Sequence, residues 1–266
     1  MAKKLDAFLY VCLFVAIYWF CDAVAGSFFP LVNTFRLFFS GERTFSYLLS
    51  YFGECLERGS RGAAEMAIAS LLTLVLIWIV FVIRKKRFLS VFKTKRLYVK
   101  DVAGAIFIAF GLQTISSLVM FIPFPQKLFE IYERHMALAV SGSTLTVFIM
   151  SGFIAPVFEE LFFRGVVYDE FSRGGGFWFS NIMQSLVFAV LHLNAVQGIY
   201  AFFVGIMLGS AMKLSKSIYI PIIIHIVFNI TSLIFGGFIT SVSGDAYFII
   251  CGIFSLVLGF LLFKRK

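Results

Sequence analysis

A small set of side chains in this sequence can move protons or donate hydrogen bonds, although each stands in or at the end of an apolar run. These side chains are Glu159, Glu160, Arg164, His192, His225 and Asn229. An ionisable side chain inside a bilayer costs about 2.5–3.5 kcal/mol on insertion scales, so its presence there indicates a function. A carboxylate and an imidazole can deprotonate water, while a second imidazole and an amide can stabilise an oxyanion. The set therefore predicts hydrolysis by an activated water.

The spacing of the two glutamates indicates that they have different tasks. Glu159 and Glu160 are adjacent, so on a helix they point about 100° apart. Glu160 and Arg164 are four residues apart and predict an ion pair on one face, which leaves Glu159 without a partner on its own helix. A structural alternative remains open, in which Arg164 and polar neighbours hold both carboxylates as packing groups.

The histidines allow more than one interpretation. His225 and Asn229 are four residues apart and share a helix face, about 6 Å apart along the axis, so both can address one small group. Phe188 precedes His192 by four residues, and its ring is expected to pack on that imidazole. Each histidine could instead be a satisfied core residue. A zinc site of two histidines and one glutamate also stays open, although H-E-x-x-H is absent.

The elements that position these residues must lie in a membrane. Of 266 residues, 61% are hydrophobic and only 14% are charged, and the mean hydropathy is +0.96. This composition excludes a soluble enzyme, a disordered chain and a disulfide scaffold. The net charge of +9 is better explained by basic loops that orient a membrane protein than by binding of nucleic acid.

Eight apolar runs are long enough, or nearly so, to be spans. They cover 5–26, 63–83, 102–122, 145–168, 177–193, 197–212, 217–235 and 246–263. With eight crossings, most of the 23 Lys and Arg residues fall on one side, including those of 84–100 and 264–266, so both termini are predicted to be cytoplasmic. The mixed stretches 28–62 and 123–143 predict interfacial helices on the outer side. The predicted fold is an all-α polytopic membrane protein with about eight transmembrane helices.

Three motifs follow one another on successive predicted helices. Residues 159–164 read E-E-x-x-x-R, residues 188–192 read F-x-x-x-H, and residues 225–229 read H-x-x-x-N. In this order they resemble the CPBP (also called Abi) family of intramembrane glutamate proteases, which is related to the type II CAAX prenyl endopeptidases and includes bacteriocin-processing and immunity proteins. The matched region, 159–229, covers about a quarter of the chain.

This resemblance implies an intramembrane catalytic cavity and a glutamate mechanism without metal or other cofactor. It implies that Glu159 activates water, that His192 helps to hold that water, and that His225 and Asn229 stabilise the oxyanion. The structural or gating group would comprise Glu160, Arg164 and Phe188. The substrate would be a peptide or protein, in contact with membrane lipids, and no nucleic acid is expected.

The sequence also predicts how the chain is organised and where it works. Residues 1–266 are expected to form a single membrane domain, with helices without motif in 1–143, the catalytic core in 144–235 and a last transmembrane helix in 246–263. Because no organellar targeting signal is evident, a bacterial plasma membrane is expected. Family habit then favours a membrane-associated or secreted peptide as the substrate over a prenylated protein.

Two other classes of function compete with a protease. A non-catalytic bacteriocin-immunity or scaffold protein would keep the cavity without needing a base. A small transporter would use the same residues as a proton relay, but the polar groups fall in one half of the chain rather than in paired halves. The predicted spans also place Glu159 and His192 at different depths, which requires a helix break near Pro156 or a misjudged edge of the fifth span.

Overall fold

The computed structural model describes residues 2–41, 44–58, 63–140, 143–242 and 244–263. The described residues form helices and the connections between them, and no strand occurs among these residues. The helices are α1 (Ala2–Phe39), α2 (Phe45–Arg58), α3 (Ala63–Ile83), α4 (Val99–Val119), α5 (Gln126–Ala139), α6 (Thr144–Ile149), α7 (Ala155–Glu160), α8 (Tyr168–Gly174), α9 (Phe177–Val190), α10 (Ala195–Ser215), α11 (Tyr219–Val242) and α12 (Ala246–Leu262). Two π-helical segments, Met150–Ile154 and Leu161–Val167, join α6, α7 and α8 into one continuous helical rod.

The prediction of an all-α polytopic membrane protein is confirmed. Six helical stretches in the described chain are long and apolar enough to cross a membrane, namely α1, α3, α4, the rod of α6 to α8, α10 and α11. The shorter apolar helices α9 and α12 coincide with the two remaining predicted spans. The helices α2 and α5 occupy the stretches predicted to lie at the interface.

The first helix extends beyond the apolar run predicted at 5–26. The helix α1 continues through Pro30 to Phe39. Proline removes one helical hydrogen bond, which usually interrupts a helix in water. Membrane helices tolerate it, because nearby groups satisfy the freed backbone.

One end of the bundle collects basic residues around a buried carboxylate. Glu170 of α8 is fully buried and accepts a bidentate pair from Arg84, at 2.6 and 3.1 Å, together with bonds from Lys86 and Arg173. Arg173 also pairs with Asp6 at 3.4 Å, so the beginning of α1 lies at this end. We call it the basic end of the bundle.

Further contacts show that other segments between helices also lie at the basic end. The amide of Ile218, just before α11, donates to the carbonyl of Lys93 at 2.7 Å, so the 84–98 connection meets the turn between α10 and α11. Phe263, which follows α12, lies beside Gly104 in the first half of α4. Both ends of the described chain therefore lie at the basic end. Arg43, Arg61 and residues 264–266, which also enter the predicted charge distribution, lie outside the described residues.

Glycines let α4 and α12 approach each other closely. A Cβ atom on Gly104 would lie 2.9 Å from the carbonyl oxygen of Gly259, and one on Gly259 would lie 2.8 Å from that of Gly104. A Cβ on Gly252 would overlap the hydroxyl of Thr114 and come within 2.6 Å of its Cβ. Small residues at such contacts are how membrane helices gain packing energy.

We expect Gly252→Ala to destabilise the protein by about 1–3 kcal/mol, because the added methyl group overpacks the contact between α4 and α12. The measurement is the midpoint of thermal unfolding in detergent. Gly237→Ala in α11 is the matched control, since a Cβ there meets nothing within 4 Å. Equal midpoints for the two variants would show that the close approach does not contribute to stability.

Candidate active site

The paired glutamates lie on a short α-helix bracketed by two changes of helix type. The helix α7 has six residues, begins with Ala155 and Pro156, and ends at Glu160. The π-helical segment before it ends at Ile154, and the second begins at Leu161. The interruption predicted near Pro156 is therefore a change from π-helix to α-helix within a continuous rod. Such π-helical turns occur frequently at functional sites.

Glu160 is the centre of a buried polar cluster. Its Oε1 accepts a hydrogen bond from Nη1 of Arg164 at 2.8 Å, and both side chains are fully buried. The same oxygen lies 2.7 Å from Nδ1 of His225 on α11. Arg164 also places its guanidinium 4.5 Å from the centre of the Phe188 ring, a cation–π contact. The four-residue spacing thus gives the expected ion pair, and the structure adds His225 to it.

Glu159 points into a different environment. Its side chain is 28% exposed, whereas that of Glu160 is fully buried. Its Oε2 lies 3.7 Å from Nε2 of His225, which is too long for a direct hydrogen bond. Polar atoms at such a distance can share one water that bonds to both. His225 therefore faces the buried carboxylate with one nitrogen and the accessible carboxylate with the other.

His192 lies in the turn after α9 rather than in the span predicted for 177–193, because the helix ends at Val190. Its Nδ1 lies 2.7 Å from the carbonyl oxygen of Phe188. The Phe188 ring makes a T-shaped contact with His192 at 4.7 Å between centroids, and another with His225 at 6.0 Å. One aromatic ring thus contacts both imidazoles, and His225 in turn lies near Glu159, so the residues that the predicted spans separated share one neighbourhood.

Asn229 is partly engaged within the protein. Its Nδ2 donates to the carbonyl oxygen of Ser151 at 2.8 Å, in the first π-helical segment. One amide hydrogen of Asn229 is thereby committed to holding the rod against α11. The other hydrogen is available to a molecule in the cavity that Asn229 lines.

A cavity of about 440 Å³ opens beside Asn229. Its walls come from α4, α5, α10, α11 and the first π-helical segment. We call it the polar cavity, because amide and hydroxyl groups line it, among them those of Gln113, Ser117, Tyr132, Gln197, Tyr200 and Ser232. A glutamine, tyrosine or serine in an apolar run is not an ionisable signal, so the sequence does not predict this lining.

Ligands for a metal ion would have to come from the same histidines and glutamates. In the described part of the chain, no group of three His, Cys, Asp or Glu side chains is arranged to hold one. His225 is engaged by Glu160 at one nitrogen, and Nδ1 of His192 by a backbone carbonyl. The contacts of these side chains are thus hydrogen bonds and ring contacts within the protein.

Comparison with known proteins finds matches to the segment that carries this site. Residues 141–231, about a third of the chain, match the family described as "Type II CAAX prenyl endopeptidase Rce1-like". The chain is also similar to "Putative membrane peptidase YdiL" of Bacillus subtilis (strain 168), with 24% identity over 81 residues. That match covers 30% of this chain and 33% of the relative. No solved structure matches the chain significantly.

The family match extends from just before α6 to the middle of α11. It therefore includes both glutamates, both histidines of the site and Asn229. It does not include α1 to α5 or α12. Through this segment, the chain is similar to the Rce1-like type II CAAX prenyl endopeptidases, which agrees with the resemblance to the CPBP family that the three motifs carry.

Proposed function

We propose that this protein is an intramembrane endopeptidase that hydrolyses a peptide bond with a water activated by Glu159. One observation carries the proposal: Glu159 is an accessible carboxylate 3.7 Å from Nε2 of His225, whose other nitrogen is bound to the buried Glu160. The family match supports a membrane protease at the coarser level. The metal-independent glutamate mechanism goes beyond that match.

The reaction uses Glu159 as general base and then as general acid. A water bonded to Glu159 gives a proton to its carboxylate while the water oxygen attacks the carbonyl carbon of the substrate. The proton on Glu159 then passes to the amide nitrogen as the carbon–nitrogen bond breaks. The products are a carboxyl group and an amine, and the carboxylate of Glu159 is restored.

The other side chains hold the water and the developing charge. His192 helps to orient the water, and Phe188 sets the position of that imidazole. In its imidazolium form, His225 donates from Nδ1 to Glu160 and from Nε2 to the oxyanion, which the second amide hydrogen of Asn229 also stabilises. Glu160 and Arg164 are positioning residues, because they fix His225 from the side away from the substrate.

The orientation in the membrane follows from the basic end. Lys and Arg residues favour the cytoplasmic side of a membrane protein. We place the basic end, with both termini, in the cytoplasm, and the protein in a bacterial plasma membrane. The substrate in this proposal is a membrane-associated or secreted peptide.

The test is mass spectrometry of peptides released when the purified protein in liposomes is incubated with a mixed pool of peptides and membrane proteins. We expect new peptides from the wild-type protein, with and without a strong chelator. Glu159→Gln, purified in the same way, is the matched control. If both proteins release the same peptides, the proposal is wrong and a non-catalytic role gains support. If the chelator alone stops cleavage, the metal-independent mechanism is wrong.

A further inference from the structure

The polar cavity is too large to serve only as a store for the hydrolytic water. One water occupies about 30 Å³ in the liquid, and the cavity measures about 440 Å³. That volume lies in the range of sites that bind small ligands. Asn229 lines the cavity, so its contents lie next to a residue of the proposed catalytic centre.

The lining is mostly apolar by area but includes several amides and hydroxyls, and its described residues carry no charge. It offers the amides of Gln113 and Gln197 and the hydroxyls of Ser117, Tyr200 and Ser232. In the described part of the chain, no protein group accepts from Nε2 of Gln197 or pairs with the hydroxyl of Tyr200, while Oε1 of Gln197 accepts from Asn194. Amides and hydroxyls both donate and accept, which matches a peptide backbone with one donor and one acceptor per residue. A phosphate headgroup would call for cations instead.

The cavity reaches towards the end of the bundle that is opposite the basic end. The helix α4 starts at the basic end, and the residues that line the cavity lie between Gln113 in its second half and Met120 just after it. The helix α11 also starts there, and its residues between Phe228 and Ile239 line the cavity. The helix α10 runs the other way, and Gln197 and Tyr200 in its first turns line the cavity. All three helices thus contribute the parts that lie away from the basic loops.

The helix α5 forms one wall of the cavity. Tyr132 and Met136 of α5 line it, and α5 packs against α10. Burial raises the pKa of the Tyr132 hydroxyl above its ordinary value. Tyr132 and Tyr200 both line the cavity, one from α5 and the other from α10.

We propose that the polar cavity binds an extended peptide segment that approaches the Glu159–His225 centre from the side of the membrane opposite the basic end. This inference rests on the proposed function and adds the direction of approach and the groups that hold the backbone. With the basic end in the cytoplasm, the substrate is a segment exposed on the extracytoplasmic side. Gln197 and Tyr200 are its positioning residues, and α5 must yield at Tyr132 and Met136 to admit it.

The direction of approach is tested by labelling of single cysteines with a charged, membrane-impermeant methanethiosulfonate reagent. The native Cys12, Cys21, Cys55 and Cys251 are first replaced by Ala. Ser116→Cys then places a thiol at the polar cavity, and Ser90→Cys places the control thiol on the exposed basic connection. Both variants are labelled in right-side-out and in inverted membrane vesicles.

We expect Ser116→Cys and Ser90→Cys to be labelled from opposite sides. Labelling of both from one side would overturn the inference. So would failure of Ser116→Cys to react from either side while it reacts after denaturation. Labelling needs no cleavage assay. If Ser116→Cys is labelled as expected but the wild-type protein releases no peptide, the access route stands and the proposed endopeptidase activity fails.

The binding role is tested with the peptide that the wild-type protein cleaves. Loss of one substrate hydrogen bond in Gln197→Ala or Tyr200→Phe should raise KM by about tenfold with kcat nearly unchanged. Gln126→Ala is the control, because Gln126 is exposed on α5 and donates only to Glu130 there. A fall in kcat at constant KM, or no change in either constant, would overturn the binding role.

Discussion

Glu159→Gln is expected to lower peptide turnover by about 10²–10⁴-fold, the usual contribution of a general base, while the unfolding temperature stays that of the wild type. Gln has nearly the shape of Glu but cannot take a proton from water. Stability should be unaffected, because Glu159 is partly exposed and makes no direct hydrogen bond to His225 at 3.7 Å. The measurement pairs kcat on a released peptide with thermal unfolding of the same sample.

The adjacent residue gives the sharpest control for that prediction. Glu160→Gln should lower the unfolding temperature strongly, because it leaves Arg164 as a buried cation without a counter-charge. The activity of this variant should fall because less of the protein is folded and because His225 is no longer held in place. If Glu159→Gln unfolds the protein and Glu160→Gln only slows it, the roles assigned to the two carboxylates are reversed.

Arg164→Met is expected to destabilise the folded protein by about 3–5 kcal/mol, the usual cost of breaking a buried ion pair on one side. Met fills much of the same volume, but the carboxylate of Glu160 then keeps only His225 as a partner. The cation–π contact with Phe188 is lost as well. Resistance to unfolding by heat and by denaturing detergent measures the effect.

The double variant Glu160→Leu/Arg164→Met separates this cause from simple loss of packing. Removing both charges avoids an unpaired buried ion, so the double variant should recover a large part of the stability that either single variant loses. Additive losses in the double variant would contradict the ion-pair explanation. Activity should stay low, because His225 then lacks the carboxylate that orients it.

Features that depend on local periodicity could be predicted from the sequence. The eight apolar runs coincide with the long and short apolar helices, because length and hydropathy are local properties. The pairing of Glu160 with Arg164 follows from a spacing of four residues. The different exposure of Glu159 and Glu160 follows from the angle between neighbours on a helix.

Features that join distant parts of the chain could not be predicted in this way. The Glu170 cluster at the basic end pairs residues 86 positions apart, and Asn229 reaches a carbonyl 78 positions away. Nothing in the stretch around Glu170 distinguishes it from an exposed loop acid. The polar cavity is likewise formed by helices that are distant in sequence. Nothing in the local sequence around Gln197 or Tyr200 therefore indicates that they line it.

Two π-helical segments flank α7, so the geometry of the active site depends on the number of residues in this rod. A π-helical turn accommodates an additional residue, and on an α-helix one residue corresponds to a rotation of about 100°. The direction in which the Glu159 side chain points therefore depends on the number of residues between Met150 and Val167, and not only on their identity. Deleting a single apolar residue there would turn the carboxylates away from His225 without removing any of them.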